Sequence, residues 1–240
     1  MPIQISEHIK LKRTPIKEIV LSISFEETLE LSILDNFKSS EKISSEFSSV
    51  KPGFHTHVTA KSSEPPTANV SIDGYILRSK SSTVIQARKG SISFHKVNGY
   101  EEFGSLLNSL MEIWSVLLEQ VKKLTVNKIS VRYLNLIDKD KHQNISEILN
   151  INLSHPFGTN LSEQLIVIKY KDIDKSIAGN ITIANQKTEE LESVLLDINL
   201  TKSISNEKQF SFDCFYELRN IKNNLFFTTI TKQTILKYNS

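Results

Sequence analysis

The sequence is poor in the residues that mark most specialised chemistries. A single cysteine, Cys214, excludes a disulfide framework and any zinc ribbon, which need several. Seven glycines in 240 residues are few. None falls in GxGxxG or GxxxxGKS/T, so neither phosphate-cradling loop is present. The many serines include no GxSxG elbow, and no HExxH pair accompanies the six histidines. Charge of one sign is also lacking. With 29 Lys+Arg against 27 Asp+Glu, the net charge is +2. That excludes the strong basic excess of polyanion-coating proteins and the acidic excess of solvating tails. No apolar run approaches the ~18 residues of a membrane span. Met1 to Arg13 has no apolar core of signal-peptide length. Six Asn-x-Ser/Thr triplets, beginning at Asn69, Asn144, Asn152, Asn160, Asn180 and Asn199, are read as products of an Asn-, Ser- and Thr-rich composition rather than as glycan acceptors. A cytoplasmic protein with no membrane contact is expected.

What is present is periodicity. Ile19, Leu21, Ile23 and Phe25 alternate with Glu18, Val20, Ser22 and Ser24, which predicts a strand over Ile16 to Phe25. Thr28 to Phe37 reads as a short amphipathic helix. Ser39 to Pro66 is Ser- and Pro-rich. It is expected to hold a helical turn, a strand near Phe54 to Ala60 and a mobile loop ending at Pro65–Pro66. Val70 to Lys80, Thr83 to Arg88 and Ser91 to Val97 follow as strands, the last two joined by a tight turn at Lys89–Gly90. Asn98 is expected to cap a long helix, with Glu101 completing the capping box. Phe103, Leu106, Leu107, Leu110, Ile113, Trp114, Leu117, Leu118 and Val121 form its apolar stripe.

The second half repeats this order. Asn127 to Asp138 is a strand and Ser146 to Asn150 a short helix. Leu161 to Lys171, Ile177 to Asn185 and Val194 to Leu200 are strands. Phe210 to Phe226 is a helix, and Thr231 to Tyr238 a separate terminal one. The pattern predicts an α+β fold with helices on one face of antiparallel sheet. Two similar halves, 1–124 and 125–240, pack as one unit.

Four segments carry a resemblance: TPIKEIVLSISF, NGYEEFGSLLNSLMEIW, ISVRYLNLID and FFTTITKQTILKY. Together they resemble a sporadically distributed family of bacterial and archaeal proteins of unknown function, about 250 residues long, with PxxEAxxxIxF and GLRYxNxI motifs. Pro15, Glu18 and Phe25 match the first motif. Arg132, Tyr133, Asn135 and Ile137 match the second. Gly99, Tyr100 and Phe103 match a helix opening, and Phe226, Ile230 and Thr231 a closing helix. Ile19 replaces the family's alanine, and Ser130–Val131 its Gly-Leu. The resemblance implies no catalytic activity. It implies an accessory role of the kind found in mobile or phage-defence loci.

Arg132 and Glu18 lie mid-strand in equivalent strands, and a bidentate pair between them would satisfy both charges and fix register. The alternative is an anionic ligand on Arg132. Asn135 shares a face with Val131 and Tyr133. With Arg132 and Glu18, Tyr133 and Asn135 are expected to line any pocket between the halves. Two basic groups are candidates for single-stranded nucleic acid. One is Lys10, Lys12 and Arg13. The other is Arg78, Lys80, Arg88 and Lys89, with Tyr75 and Phe94 interleaved. His55 and His57 share a strand face and could take His95 or a carboxylate as a third metal ligand, but the polar surroundings favour a solvated edge. Cys214 reads as a small core residue. His155 has no partner by spacing, and the adjacent carboxylates Glu101–Glu102 and Glu189–Glu190 diverge. No catalytic residue, metal or cofactor is assigned.

The function expected is that of a non-catalytic interaction protein. It would be a cytosolic subunit or regulator of an accessory bacterial system, such as phage defence or toxin neutralisation. It would act through a protein partner or a second copy. Such a role predicts a large exposed apolar patch. The alternatives are a small-ligand or nucleotide module with a pocket between the halves, and a single-stranded nucleic-acid binder.

Overall fold

The computed structural model describes residues 11–61, 64–140, 143–151, 165–187, 192–205 and 210–240. Among these residues nine strands form one sheet: β1 (Ile16–Phe25), β2 (Ser49–Lys61), β3 (Glu64–Arg78), β4 (Thr83–Arg88), β5 (Ser91–Val97), β6 (Val126–Lys139), β7 (Leu165–Asp172), β8 (Ile177–Lys187) and β9 (Glu192–Ser203). Helices α1 (Leu31–Ser39), α2 (Glu41–Glu46) and α3 (Phe103–Glu119) belong to the first half. Helices α4 (Ile145–Ile148), α5 (Asp213–Thr229) and α6 (Lys232–Asn239) belong to the second. None is long and apolar enough to cross a membrane.

Sheet order is β2-β3-β4-β5-β1-β6-β9-β8-β7, and every pairing is antiparallel. The α+β architecture is that expected, and its topology shows how the halves relate. In each half the first strand lies at the centre of the sheet. The chain then crosses through helix to the outer edge and walks back inward, strand by strand. The two first strands, β1 and β6, pair in the middle with Leu21 opposite Val131.

Alternation sorts the strand residues onto two faces. On the core face Ile19, Leu21, Ile23, Ile85, Ile92, Val131, Leu196 and Ile198 are buried against Leu34, Phe37, Leu110, Trp114, Phe215 and Leu218 of the helices, in one continuous cluster. α1 packs on β3, α3 on β5, and α5 on β6 and β9. The opposite, outer face carries the intervening residues. Val84, buried yet outside the core cluster, lies there.

Two expectations are corrected. Asn98 does not cap α3. It sits at φ 51° and donates its N–H to the Lys17 carbonyl at 2.8 Å, ending the β1–β5 ladder. The helix starts after Glu102, and Glu101 pairs with Lys96 at 2.5 Å instead. Nor do Pro65–Pro66 end a mobile loop. β2 and β3 form a long ribbon reaching the Lys61–Glu64 pair, and the prolines fall at the irregularity after Thr59–Thr67. Among the described residues this part of β3 has β2 alone as neighbour, since β4 pairs only with Gly74 to Arg78. Neither proline has a register partner at that irregularity, so their missing N–H groups interrupt no paired step. Gly74 marks the bulge where the ribbon leaves the sheet. Its φ of 152°, and the 2.0 Å that would separate a Cβ from the Ala87 carbonyl oxygen, admit only glycine.

Candidate functional site

The outer face carries a polar row across the sheet. Register places Arg78, Val84, His95, Val20, Arg132, Asn199, Asn180 and Lys169 side by side on successive strands from β3 to β7. The next row holds Gln86, Ser93, Ser22, Ser130 and Thr201.

At its centre three side chains form a chain of hydrogen bonds. Ser93 Oγ lies 2.9 Å from His95 Nε2, and His95 Nδ1 lies 2.8 Å from Glu18 Oε1. Ser93 and His95 are two apart on β5, so they share a face. Glu18 faces Val97 on the neighbouring β1, diagonal to His95. The His95 side chain is only 12% exposed. Burial pushes its proton affinity below the usual histidine value, Glu18 opposes that, and the positive charges of Arg132 and Arg78 reinforce it. The neutral imidazole then donates Nδ1–H to Glu18 and accepts the Ser93 hydroxyl proton at Nε2.

The expected Glu18–Arg132 pair does not form. Arg132 instead takes Asp197 on β9 in a bidentate contact, Nε to Oδ1 at 3.0 Å and Nη2 to Oδ2 at 2.7 Å. Arg132 is directly opposite Asn199, so its long side chain reaches diagonally to Asp197. Glu18 is directly opposite Leu134, on the other diagonal, and turns to His95. The bond to Asp197 raises the Arg132 proton affinity above its ordinary value.

Nor do the four expected residues line one pocket. Tyr133 and Asn135 are buried on the core face, with the sheet between them and Glu18 and Arg132. Asn135 donates to the carbonyls of Leu196 at 2.9 Å and Tyr133 at 3.3 Å. Tyr133 lies under a lysine that sequence reading missed. Lys222 Nζ sits 3.7 Å from the ring centroid. Burial, and secondarily the like charge of Arg219, pull Lys222 down to about 7. Leu218, Lys222 and Phe226 recur every fourth residue and are all buried. That spacing is the signal that would have placed the lysine on the apolar stripe.

The basic group divides as well. Arg78 and Arg88 face outward, whereas Lys80 and Lys89 fall in turns beyond the strands. Arg88 pairs with Asp73 at 3.5 Å and lies over Gly53. Phe94 is in the core. Tyr75 bonds Asp35 of α1 at 2.7 Å and lies under Lys38. No aromatic platform therefore accompanies the two arginines. His95 is separated from His55 by two intervening strands, and no group of three metal-ligating side chains forms among the described residues. Cys214 is half-buried against the core. Lys10, His155 and Glu189–Glu190 lie outside the described residues. A cleft of about 400 Å³ between the end of β6 and α6 is lined by Asp138, Asp140, Thr234 and Lys237 among others. Among the described residues that line it, the hydroxyls of Thr234 and Ser240 bond backbone carbonyls rather than a base.

The β2–β3 ribbon is the other unusual surface. Its pairs Phe54–Ile72, Thr56–Val70 and Val58–Ala68 put five apolar side chains on one ribbon face. Phe54, Val58 and Val70 are 57%, 61% and 62% exposed, and Ile72 is 39% exposed. β2 is the terminal strand of the sheet.

No family model matches this chain, and no curated protein does.

Proposed function

We propose that the chain is an interaction protein that takes an extended segment of a protein partner as an additional strand along the edge of β2 that no other described strand covers. The observation that supports this reading is the character of that edge. An edge strand offers unpaired N–H and C=O groups, and soluble proteins usually blunt it with charge, proline or brevity. β2 runs 13 residues, and from Gly53 to Ala60 it has neither proline nor Lys, Arg, Asp or Glu. Backbone bonds would supply affinity, and apolar side chains of the added strand would cover Phe54 and Val58. The opposite edge differs. β7 has eight residues and carries Lys169 and Lys171. A cytosolic subunit that accepts a partner's strand fits the accessory role that the motif resemblance implies.

The test pairs capture with hydrogen exchange. A Phe54→Asp/Val58→Lys chain should lose the partner, whereas Leu165→Lys on the opposite edge should retain it. Amides of β2 should gain protection in the complex. A partner retained equally by both variants, or protection confined to other strands, would overturn the reading.

A further inference from the structure

We propose that Ser93, His95 and Glu18 form a nucleophile–base–acid relay that activates the Ser93 hydroxyl toward esters. This goes beyond the partner-binding reading and does not depend on it.

The case is geometric. The links of 2.9 Å and 2.8 Å run in the order hydroxyl, Nε2, Nδ1, carboxylate, which is the order of the serine hydrolase triads. Such triads are recognised by geometry and roles rather than by sequence position. Glu18 fixes the tautomer by accepting Nδ1–H, leaving the Nε2 lone pair for the Ser93 proton. Burial holds the proton affinity of His95 below the ordinary histidine value, so the imidazole is neutral near pH 7 and its Nε2 lone pair is open to a proton, at some cost in basicity. Val20 and Val84 flank His95 on either side with apolar groups, while Ser22 and Gln86 flank Ser93.

The step balances without a cofactor. Ser93 Oγ adds to the ester carbonyl carbon as its proton passes to His95 Nε2. The carbonyl oxygen becomes an oxyanion. Collapse breaks the ester C–O bond, and the leaving alkoxide takes the proton from Nε2. Water, deprotonated by the same nitrogen, then splits acyl-Ser93, releasing the carboxylate and restoring the hydroxyl.

The fold also limits the chemistry. β5 is paired on both sides, by β1 and β4, so its backbone N–H groups are spent in the ladder and none is left for an oxyanion hole. Among the described residues on this face, side chains are left to meet the developing charge, with Gln86 beside Ser93 and the arginines Arg78 and Arg132 two strands away from His95. Losing oxyanion donors costs on the order of 10²–10³ in rate. The signature is therefore covalent labelling of Ser93 with slow turnover.

The experiment treats the full chain with a fluorophosphonate and, separately, with p-nitrophenyl acetate, and maps the adduct by mass spectrometry. One adduct is expected, on Ser93, and none on Ser93→Ala. His95→Gln should slow labelling at least ~100-fold and Glu18→Gln at least ~10-fold. Glu18→Gln keeps the side-chain shape, so it reports on the relay even where His95→Gln lowers the melting temperature. No adduct on Ser93, or labelling at the wild-type rate in folded Glu18→Gln, would overturn the assignment.

Discussion

The two faces of the sheet use polar residues in opposite ways. On the core face polar groups are rare. Among the described residues Asn185, opposite Val194, keeps a buried Oδ1 without a hydrogen-bond partner, while two others are held by the fold. Asn135 bonds backbone carbonyls on β6 and β9, and the Lys222 ammonium rests on the Tyr133 ring. On the outer face polar groups are the rule, and they bond one another. Arg132 holds Asp197, and His95 joins Glu18 to Ser93. A buried polar group tied to backbone serves one arrangement of the chain. A side-chain network on an exposed face is not required to close the core, so its geometry is open to use in recognition or chemistry. The core face should therefore dominate stability and the outer face should dominate function.

Tyr133→Ala is the sharpest test of the first half of that contrast. It removes one of the largest fully buried side chains and strips the ring from beneath Lys222. A loss of about 3–5 kcal/mol is expected in denaturant titration. Lys222→Met should act in the other direction. It replaces a buried cation by an apolar chain of similar length. The gain should be roughly 2–4 kcal/mol at pH 7 or below, after allowing for the lost cation–π contact. The sign with pH is fixed. Lys222 falls from 10.5 to about 7 on folding, so between those values the unfolded chain holds a proton that the native chain lacks. Wild-type stability then rises with pH from about 7 to 10.5. Unfolding curves at pH 7, 8.5 and 10 should show the rise in wild type and a flatter profile in Lys222→Met.

This contrast was only partly legible in the sequence. Period-two alternation in Ile19 to Phe25 and in Val131 to Ile137 identified strands and faces, because one face of each is buried and the pattern is forced. The order of strand, helix, three or more strands and long helix could be read in both stretches of the chain. Which strands pair is a long-range choice that alternation leaves open, and the site depended on it. Ser93 and His95 could be placed on one face of β5, but nothing local says that β1 rather than another strand lies beside them. Arg132 and Glu18 were recognised as mid-strand charges. Their partners followed from diagonals that only the register of β6 against β9, and of β1 against β5, decides. Asn98 misled because asparagine suits both a helix cap and a left-handed turn.

On the outer face the expected effects on stability are smaller. Arg132→Ala leaves the Asp197 carboxylate, whose side chain is 11% exposed, without its partner. The arginine itself is 45% exposed, so solvent screens part of the interaction and a loss of about 1–2 kcal/mol is expected. A double-mutant cycle sharpens the assignment. Arg132→Ala with Asp197→Asn should show coupling of that size. Arg132→Ala with Glu18→Gln should be additive to within ~0.5 kcal/mol. Strong coupling to Glu18 would restore the pairing that strand equivalence suggested.

The smallest expected effect is the pH dependence of the His95 relay, and its direction identifies the cause. His95 faces Glu18 from β1, Arg132 from β6 and Arg78 from β3. Burial outweighs Glu18 and holds its folded proton affinity below the ordinary value of 6.5. As pH falls through 6.5 the unfolded chain takes up a proton that the native histidine refuses. Stability is therefore lost below 6.5 and levels off once the pH passes the folded value. Carboxylates titrate in the lower part of the same range, so the readout is the difference between wild type and His95→Gln, which should lack this component. Glu18→Gln removes the one neighbour that favours the imidazolium, and the loss should then extend to lower pH. A wild-type profile that instead gains stability below 6.5 would mean that Glu18 outweighs burial. The imidazole would then be charged near neutrality and unable to accept the Ser93 proton.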